Sequence, residues 1–264
     1  MIRLTRDRDP DAVPAAFVGA ARTKNEKRLV DQLPTTQFEF DGEIWKKAKP
    51  QLSNESADKC AYCESSTRVV AHGDVEHFRP KSVYWWLAYC LDNYSFACQI
   101  CNQVHKRDQF GVDAIAMAPP ANPSAGSLAP DPLDRDAVDT FLALCKAEKP
   151  RFVDPYVENA ELFFAWRADD VLREVEMLPR NKSGAKRKRA LATIDGLGLN
   201  REELRKVRYE SYRPLALLAS LYDKLHESDR PELCIAIGSL LEPSMPYAAM
   251  RRWFVHEVWA LPVP

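Results

Sequence analysis

The sequence predicts an α+β protein, mainly α-helical, and three observations carry that expectation. Two C-x-x-C pairs, Cys60/Cys63 and Cys98/Cys101, bracket short apolar pieces of strand length. Two further strand-like pieces, 160–168 and 171–178, are split by Asp169-Asp170 in the manner of a hairpin. Most of the remaining chain carries apolar residues at helical spacing.

Taken in order, residues 1–20 are polar, with Arg3, Arg6, Arg8 and Pro10, and precede two helical segments at 25–33 and 42–52. The second sets Ile44, Trp45, Ala48 and Leu52 on one side. Val69-Val70-Ala71 and residues 75–78 suit a two-stranded hairpin with Gly73 in the turn and His72 beside it. Residues 84–90, with Trp85 and Trp86, are apolar at helical density and read as core; Asn93 sits in a loop, and 102–110 begins a helix after the second cysteine pair. The order strand, strand, helix would turn His77 toward the helix and bring it near Asn102.

Five prolines between Pro119 and Pro132, with Gly126, block helix and sheet ladders, so 119–132 reads as a linker between a stapled module at 1–118 and a mainly helical region at 133–264. That region holds helices at 184–197, 201–225 and 230–241. Asn200 would be the N-cap for Arg201, and Glu203 would complete a capping box. Residues 247–259, with Met250, Trp253, Phe254 and Val258, form a closing amphipathic helix, either packed on its own core or presented to a partner.

The chain of 264 residues is 46% hydrophobic with a formal charge of -1, which suits a soluble protein with a sizeable core and excludes a wholly electrostatic nucleic-acid binder. No apolar run is long enough to span a membrane and no signal segment is visible, so the cytoplasm is the expected compartment. In a reducing compartment two C-x-x-C pairs hold one tetrahedral metal ion, and zinc bound by all four would close the 34-residue loop between Cys63 and Cys98. Such a zinc has no open position for water, which makes it structural. Cys90, Cys145 and Cys234 read as buried apolar residues. Arg180, Lys182, Lys186, Arg187, Lys188 and Arg189 make a basic run free of acids, either a solvated loop or a phosphate contact.

Cys60-x-x-Cys63, Glu76-His77-Phe78-Arg79-Pro80-Lys81, Asn93 and Cys98-x-x-Cys101-Asn102 together resemble the zinc-stapled HNH endonucleases, whose nuclease unit is the ββα-metal fold. More narrowly, the Cys60-Ala-Tyr-Cys-Glu64 start, the Glu76–Lys81 block and Asp195-Gly-Leu-Gly-Leu-Asn200-Arg201 are similar to the HNH subunit of Septu-type and retron-associated phage-defence systems. The broader match covers about 50 residues; the narrower spans most of the chain more loosely.

The resemblance implies roles for particular residues. His77 would be the general base. Glu76 and Asn102 would ligate a catalytic Mg²⁺ or Mn²⁺, with His105 a further candidate; glutamate, where the family has Asp or His, alters the reach to the ion. Asn93 would orient the base. Arg79, Lys81, Lys106, Lys186, Arg187, Lys188 and Arg189 would contact nucleic acid, DNA rather than RNA. An ABC-like or AAA-like ATPase would bind the C-terminal helical region. Two other readings stay open: a zinc-stapled nucleic-acid-binding module without catalysis, and a regulatory interaction subunit with a decayed centre.

Overall fold

A computed structural model describes residues 1–35, 37–67 and 72–263. Among these residues the fold is α+β and mostly helical, with two small antiparallel sheets and a four-cysteine cluster. The N-terminal part forms α1 (Gly19–Val30), α2 (Gly42–Trp45) and α3 (Lys49–Glu55), with a 3-10 turn at Lys46–Ala48 between the last two. Asp41 starts α2 by accepting the Glu43 backbone N–H, the ordinary acidic N-cap.

Of the expected hairpin, Val69-Val70-Ala71 lies outside the described residues. β1 (Asp74–His77) pairs with β2 (Tyr94–Ala97), Glu76 opposite Ser95 and His77 opposite Tyr94. Gly73 still turns the chain into β1: it has φ +61°, and a Cβ there would lie 2.2 Å from the Phe96 ring. Residues 85–87 and 91–93 form 3-10 turns rather than one helix. After β2 comes a π-helical turn, Ile100–Lys106, closed by Arg107 at φ +49° with its N–H on the Asn102 carbonyl. Such wide turns re-aim side chains, and this one directs Asn102, Gln103 and Lys106 over β1.

The proline-rich segment is irregular as expected, and it is fastened down. Glu26 accepts the Gly126 and Leu128 N–H groups, Arg22 donates to the Ala129 carbonyl, and Leu128 is buried. Beyond it lie α4 (Arg135–Ala147), the β3 (Phe164–Asp169) and β4 (Glu174–Pro179) hairpin, α5 (Gly184–Gly196), α6 (Glu202–Leu221), α7 (Arg230–Ser239) and α8 (Ala248–Arg252), with a final π-helical turn at Trp253–Val258. The capping box is absent. Arg201 precedes α6 without a side-chain cap bond, because the Asn200 amide is drawn to the backbone N–H and C=O of Met177 in β4.

One apolar core contains Cys60, Tyr62, Cys63, Ala97 and Cys101 together with Phe164, Trp166, Leu199, Tyr209 and Phe254, so the cysteine cluster is packed directly against the C-terminal region. A second core gathers Phe17, Leu29, Leu52, Trp86, Tyr94 and Cys145. Cys90, Cys145 and Cys234 are all buried. No helix among the described residues is long and apolar enough to cross a membrane.

Candidate functional site

The four sulfurs of Cys60, Cys63, Cys98 and Cys101 lie within 4.8 Å of one another. Cys63 Sγ and Cys98 Sγ are 3.9 Å apart, close to the roughly 3.8 Å edge of a tetrahedron with Zn–S bonds of about 2.3 Å. The group fits one zinc ion in donor type, number and spacing. The Cys101 N–H points at Cys98 Sγ at 3.4 Å and the Arg201 guanidinium at Cys101 Sγ at 3.6 Å, contacts that suit thiolates. Without a dication, burial pushes the Cys60 thiol and crowding by its three neighbours the Cys101 thiol far above their usual range, while the same crowding lowers Cys63 and Cys98, so all four are thiolates together only around a cation.

β1 emerges beside this cluster, and its alternation sends Glu76 and His77 to opposite faces. The expectation that His77 turns toward the helix is therefore corrected: Glu76 does. Its carboxylate is 3% exposed and lies 2.5 Å from Lys106 Nζ, whose regular hydrogen bond goes to the His77 carbonyl at 2.9 Å. Burial outweighs the Lys106 attraction and pushes Glu76 up to about 7. Two residues earlier on the same face, Asp74 accepts hydrogen bonds from Asn102 at 3.2 Å and Gln103 at 2.9 Å. Asp74, Glu76 and the Asn102 Oδ1 are hard oxygen donors of the kind a divalent ion takes, with the Lys106 ammonium set against Glu76.

The His77 ring sits in an aromatic cage. It meets Trp45 and Tyr94 edge-on, with ring centroids 5.1 and 4.9 Å away, and Nε2 is 3.0 Å from the Ala88 carbonyl. That carbonyl also accepts the Tyr94 hydroxyl. Because a carbonyl only accepts, the proton belongs on Nε2 and Nδ1 carries the lone pair. Burial, with Lys81 and Lys106 adding, lowers His77 to about 3, so the ring is neutral near pH 7.

Among the described residues, Asn93 makes no hydrogen bond to the His77 ring. Its amide clasps the backbone of Arg79, accepting the N–H at 2.8 Å and donating to the C=O at 2.9 Å, while its own carbonyl accepts the Phe78 N–H. It thus fixes the exit of β1, one step removed from the base. The His105 ring lies against Gly198, where a Cβ would come within 2.3 Å of it, and so packs on the turn before α6.

Two expected nucleic-acid contacts are corrected. Lys106 is fully buried, held by Glu76 and the His77 carbonyl. Arg79 is 2% exposed, bonded to Glu148 at 2.7 Å and to the Cys145 carbonyl at 3.1 Å, with Tyr84 completing the Glu148 cluster. Both charges are consumed by buried partners. Lys81 is partly exposed, its ammonium 5.3 Å from the centre of the Trp45 ring. In the basic run Lys186 and Lys188 are exposed and Arg187 partly so, whereas Arg189 pairs with Glu158 at 2.5 Å. Arg189 and Arg79 line one cavity of about 360 Å³, which puts that run next to the exit of β1.

The sequence reading missed Asp74, Ala88, Trp45 and Glu148. Asp74 was readable from strand alternation with Glu76 once β1 is known to begin there. The other three act through a carbonyl, a ring edge and a long-range ion pair, which leave no local pattern.

No protein-family model matches the chain, and no solved structure matches it. The chain is 33% identical over 91 residues to Septu protein PtuB from Bacillus mycoides strain KBAB4, an overlap of 30% of this chain and 31% of that protein. It therefore spans about a third of the length of the curated relative it matches, a likeness that supports a relation to the Septu defence proteins.

Proposed function

We propose that the chain is a metal-dependent HNH-type endonuclease that hydrolyses DNA phosphodiester bonds, the effector of a Septu-type anti-phage system in the cytoplasm working with an ABC-like or AAA-like ATPase. The observation that carries this reading is the orientation of His77: Ala88 holds the Nε2 proton, leaving Nδ1 with the lone pair that a general base uses. The β1–β2 pair followed by a helical turn, stapled at both ends by cysteines, supports a ββα-metal unit around it.

In this mechanism Nδ1 of His77 takes the proton from the attacking water. Asn93 holds the Arg79 backbone and so fixes the strand end that carries the base. Glu76 and Asn102, with Asp74 beside them, would hold a divalent ion, Mg²⁺ or Mn²⁺, whose charge stabilises the phosphate and its leaving oxygen when bound. Lys106 must give up the Glu76 carboxylate for that, so the arrangement described is a resting one. Lys81 and the exposed Lys186, Arg187 and Lys188 would bind the DNA backbone. The zinc held by Cys60, Cys63, Cys98 and Cys101 is scaffold.

The Glu76–Lys106 pair and the 7% exposure of His77 favour one second reading, a zinc-stapled subunit that regulates or binds without cutting. Plasmid cleavage with Mg²⁺ or Mn²⁺, alone and with the partner ATPase, separates the two. The nuclease reading expects metal-dependent nicking that disappears in His77→Ala. Equal nicking by both proteins, or none by wild type under either condition, contradicts it.

A further inference from the structure

Two arginines beside the cysteine cluster lack any carboxylate partner. Arg208, in α6, is 1% exposed; Nη1 reaches Asn200 Oδ1 at 3.4 Å and Nη2 is buried with no hydrogen-bond partner. Arg201, just before α6, puts Nη1 3.0 Å from the Gly198 carbonyl and 3.6 Å from Cys101 Sγ. Neither forms an ion pair with a carboxylate among the described residues. A buried guanidinium without a counter-ion is unfavourable, and burial, with the neighbouring Arg201 charge adding, pulls Arg208 down to about 10.

The anionic groups that reach these arginines are chiefly the cysteines: Cys101, Cys63 and Cys98 for Arg201, and Cys63 for Arg208, with Tyr247 and Glu64 behind it. Glu64 is otherwise engaged, accepting the Met1 ammonium at 2.8 Å and the Ala249 N–H at 3.4 Å. Charge arithmetic completes the picture. Four thiolates around one dication leave a net charge of about -2, and two guanidinium groups restore neutrality.

We infer that Arg201 and Arg208 are the dedicated counter-charges of the zinc–thiolate centre, pinning the start of α6 to the staple and shielding its sulfurs from electrophiles. The inference rests on zinc occupying the four cysteines. Neither arginine touches the metal; both act through the thiolates, by drawing electron density from sulfur and holding the C-terminal region against it. Zinc loss would then loosen α6 from the nuclease module as well as the knuckles themselves, which couples the metal to the region proposed to meet the ATPase.

The test uses the full chain. Metal analysis of the wild type comes first and should find one zinc per chain; a zinc-free wild type overturns the zinc reading and this inference with it. Zinc transfer to a chromophoric chelator and alkylation by iodoacetamide, in which a cysteine sulfur displaces iodide to form a thioether, are then followed in Arg208→Met, Arg208→Lys and Arg201→Gln. Arg208→Met should weaken zinc retention by about tenfold or more and speed alkylation of the ligand cysteines, with Arg208→Lys largely restoring both. Arg201→Gln alters a partly exposed residue, keeps the fold testable if Arg208→Met does not fold, and should move both rates in the same direction. Leu215→Ala, a buried α6 residue away from the cysteines, controls for simple destabilisation and should leave alkylation unchanged in the folded protein. Zinc-loaded variants with wild-type release and alkylation rates overturn the counter-charge role while leaving the zinc assignment standing.

Discussion

The cysteine cluster and the Glu76–Lys81 block stand side by side on one small sheet and hold their polar groups in opposite ways. The cluster gathers four like ligands that repel as thiolates and hold together only around a cation. In the block, Glu76, His77 and Arg79 are all buried, and each is answered from within the chain, by Lys106, the Ala88 carbonyl and Glu148. One region thus requires something from outside, and the other is already complete. The difference teaches that a motif dense in charge need not face solvent. Under the proposed nuclease reading, Glu76 and His77 would have to be released or approached from beyond the chain before acting, as in an enzyme kept quiet until a partner or substrate arrives.

The strongest way to break the comparison is Cys98→Ser. Structural zinc contributes roughly 10–16 kcal/mol to the folding of small zinc units, so the variant should lose stoichiometric zinc and the protection of residues 60–106 from hydrogen exchange. Unchanged zinc would show that the cluster is not a four-thiolate site.

A smaller effect is expected from Arg79→Ala, which leaves Glu148 buried without its cation. Removing one partner of a buried pair costs about 3–5 kcal/mol, read by urea unfolding with zinc still bound. A loss below about 1 kcal/mol would match an exposed pair and contradict the buried arrangement.

The finest test is pH. The His77 pKa is depressed to about 3, so the unfolded chain takes up the proton first and this contribution to stability is lost as pH falls from about 6.5 toward 3. Glu76 is raised to about 7, so the folded carboxyl keeps a proton that the unfolded chain releases, and stability is lost as pH rises from about 4.5 to 7. The two oppose each other between about 4.5 and 6.5. Glu76→Gln removes one of them, so the variant should gain on the wild type by about 1.4 kcal/mol per pH unit across 4.5 to 7. A flat difference would mean that Lys106 keeps Glu76 ionised.

Much of this was legible from residues alone. C-x-x-C spacing is a local property of the backbone, so Cys60, Cys63, Cys98 and Cys101 were readable as a set, and turn chemistry and helical period announced β3–β4 and α5 to α7. The β1 partner was not legible, because local reading favours the nearest apolar piece, whereas Tyr94–Ala97 pairs across a long excursion. The burial of Arg79 and Lys106 was not legible for a related reason. Whether a cation meets phosphate or a buried carboxylate depends on Glu148 and Glu76, which only the tertiary fold brings near. Asn200 had two offers, a helix start and the edge of β4, and the sheet backbone won.

The measurement that tests the central claim most directly pairs zinc content with DNA cleavage in the same preparations of wild type and His77→Ala, with Mg²⁺ or Mn²⁺ and the proposed ATPase partner present. The account predicts one zinc per chain in both proteins and cleavage by the wild type alone. Cleavage by zinc-loaded His77→Ala at the wild-type rate would contradict it.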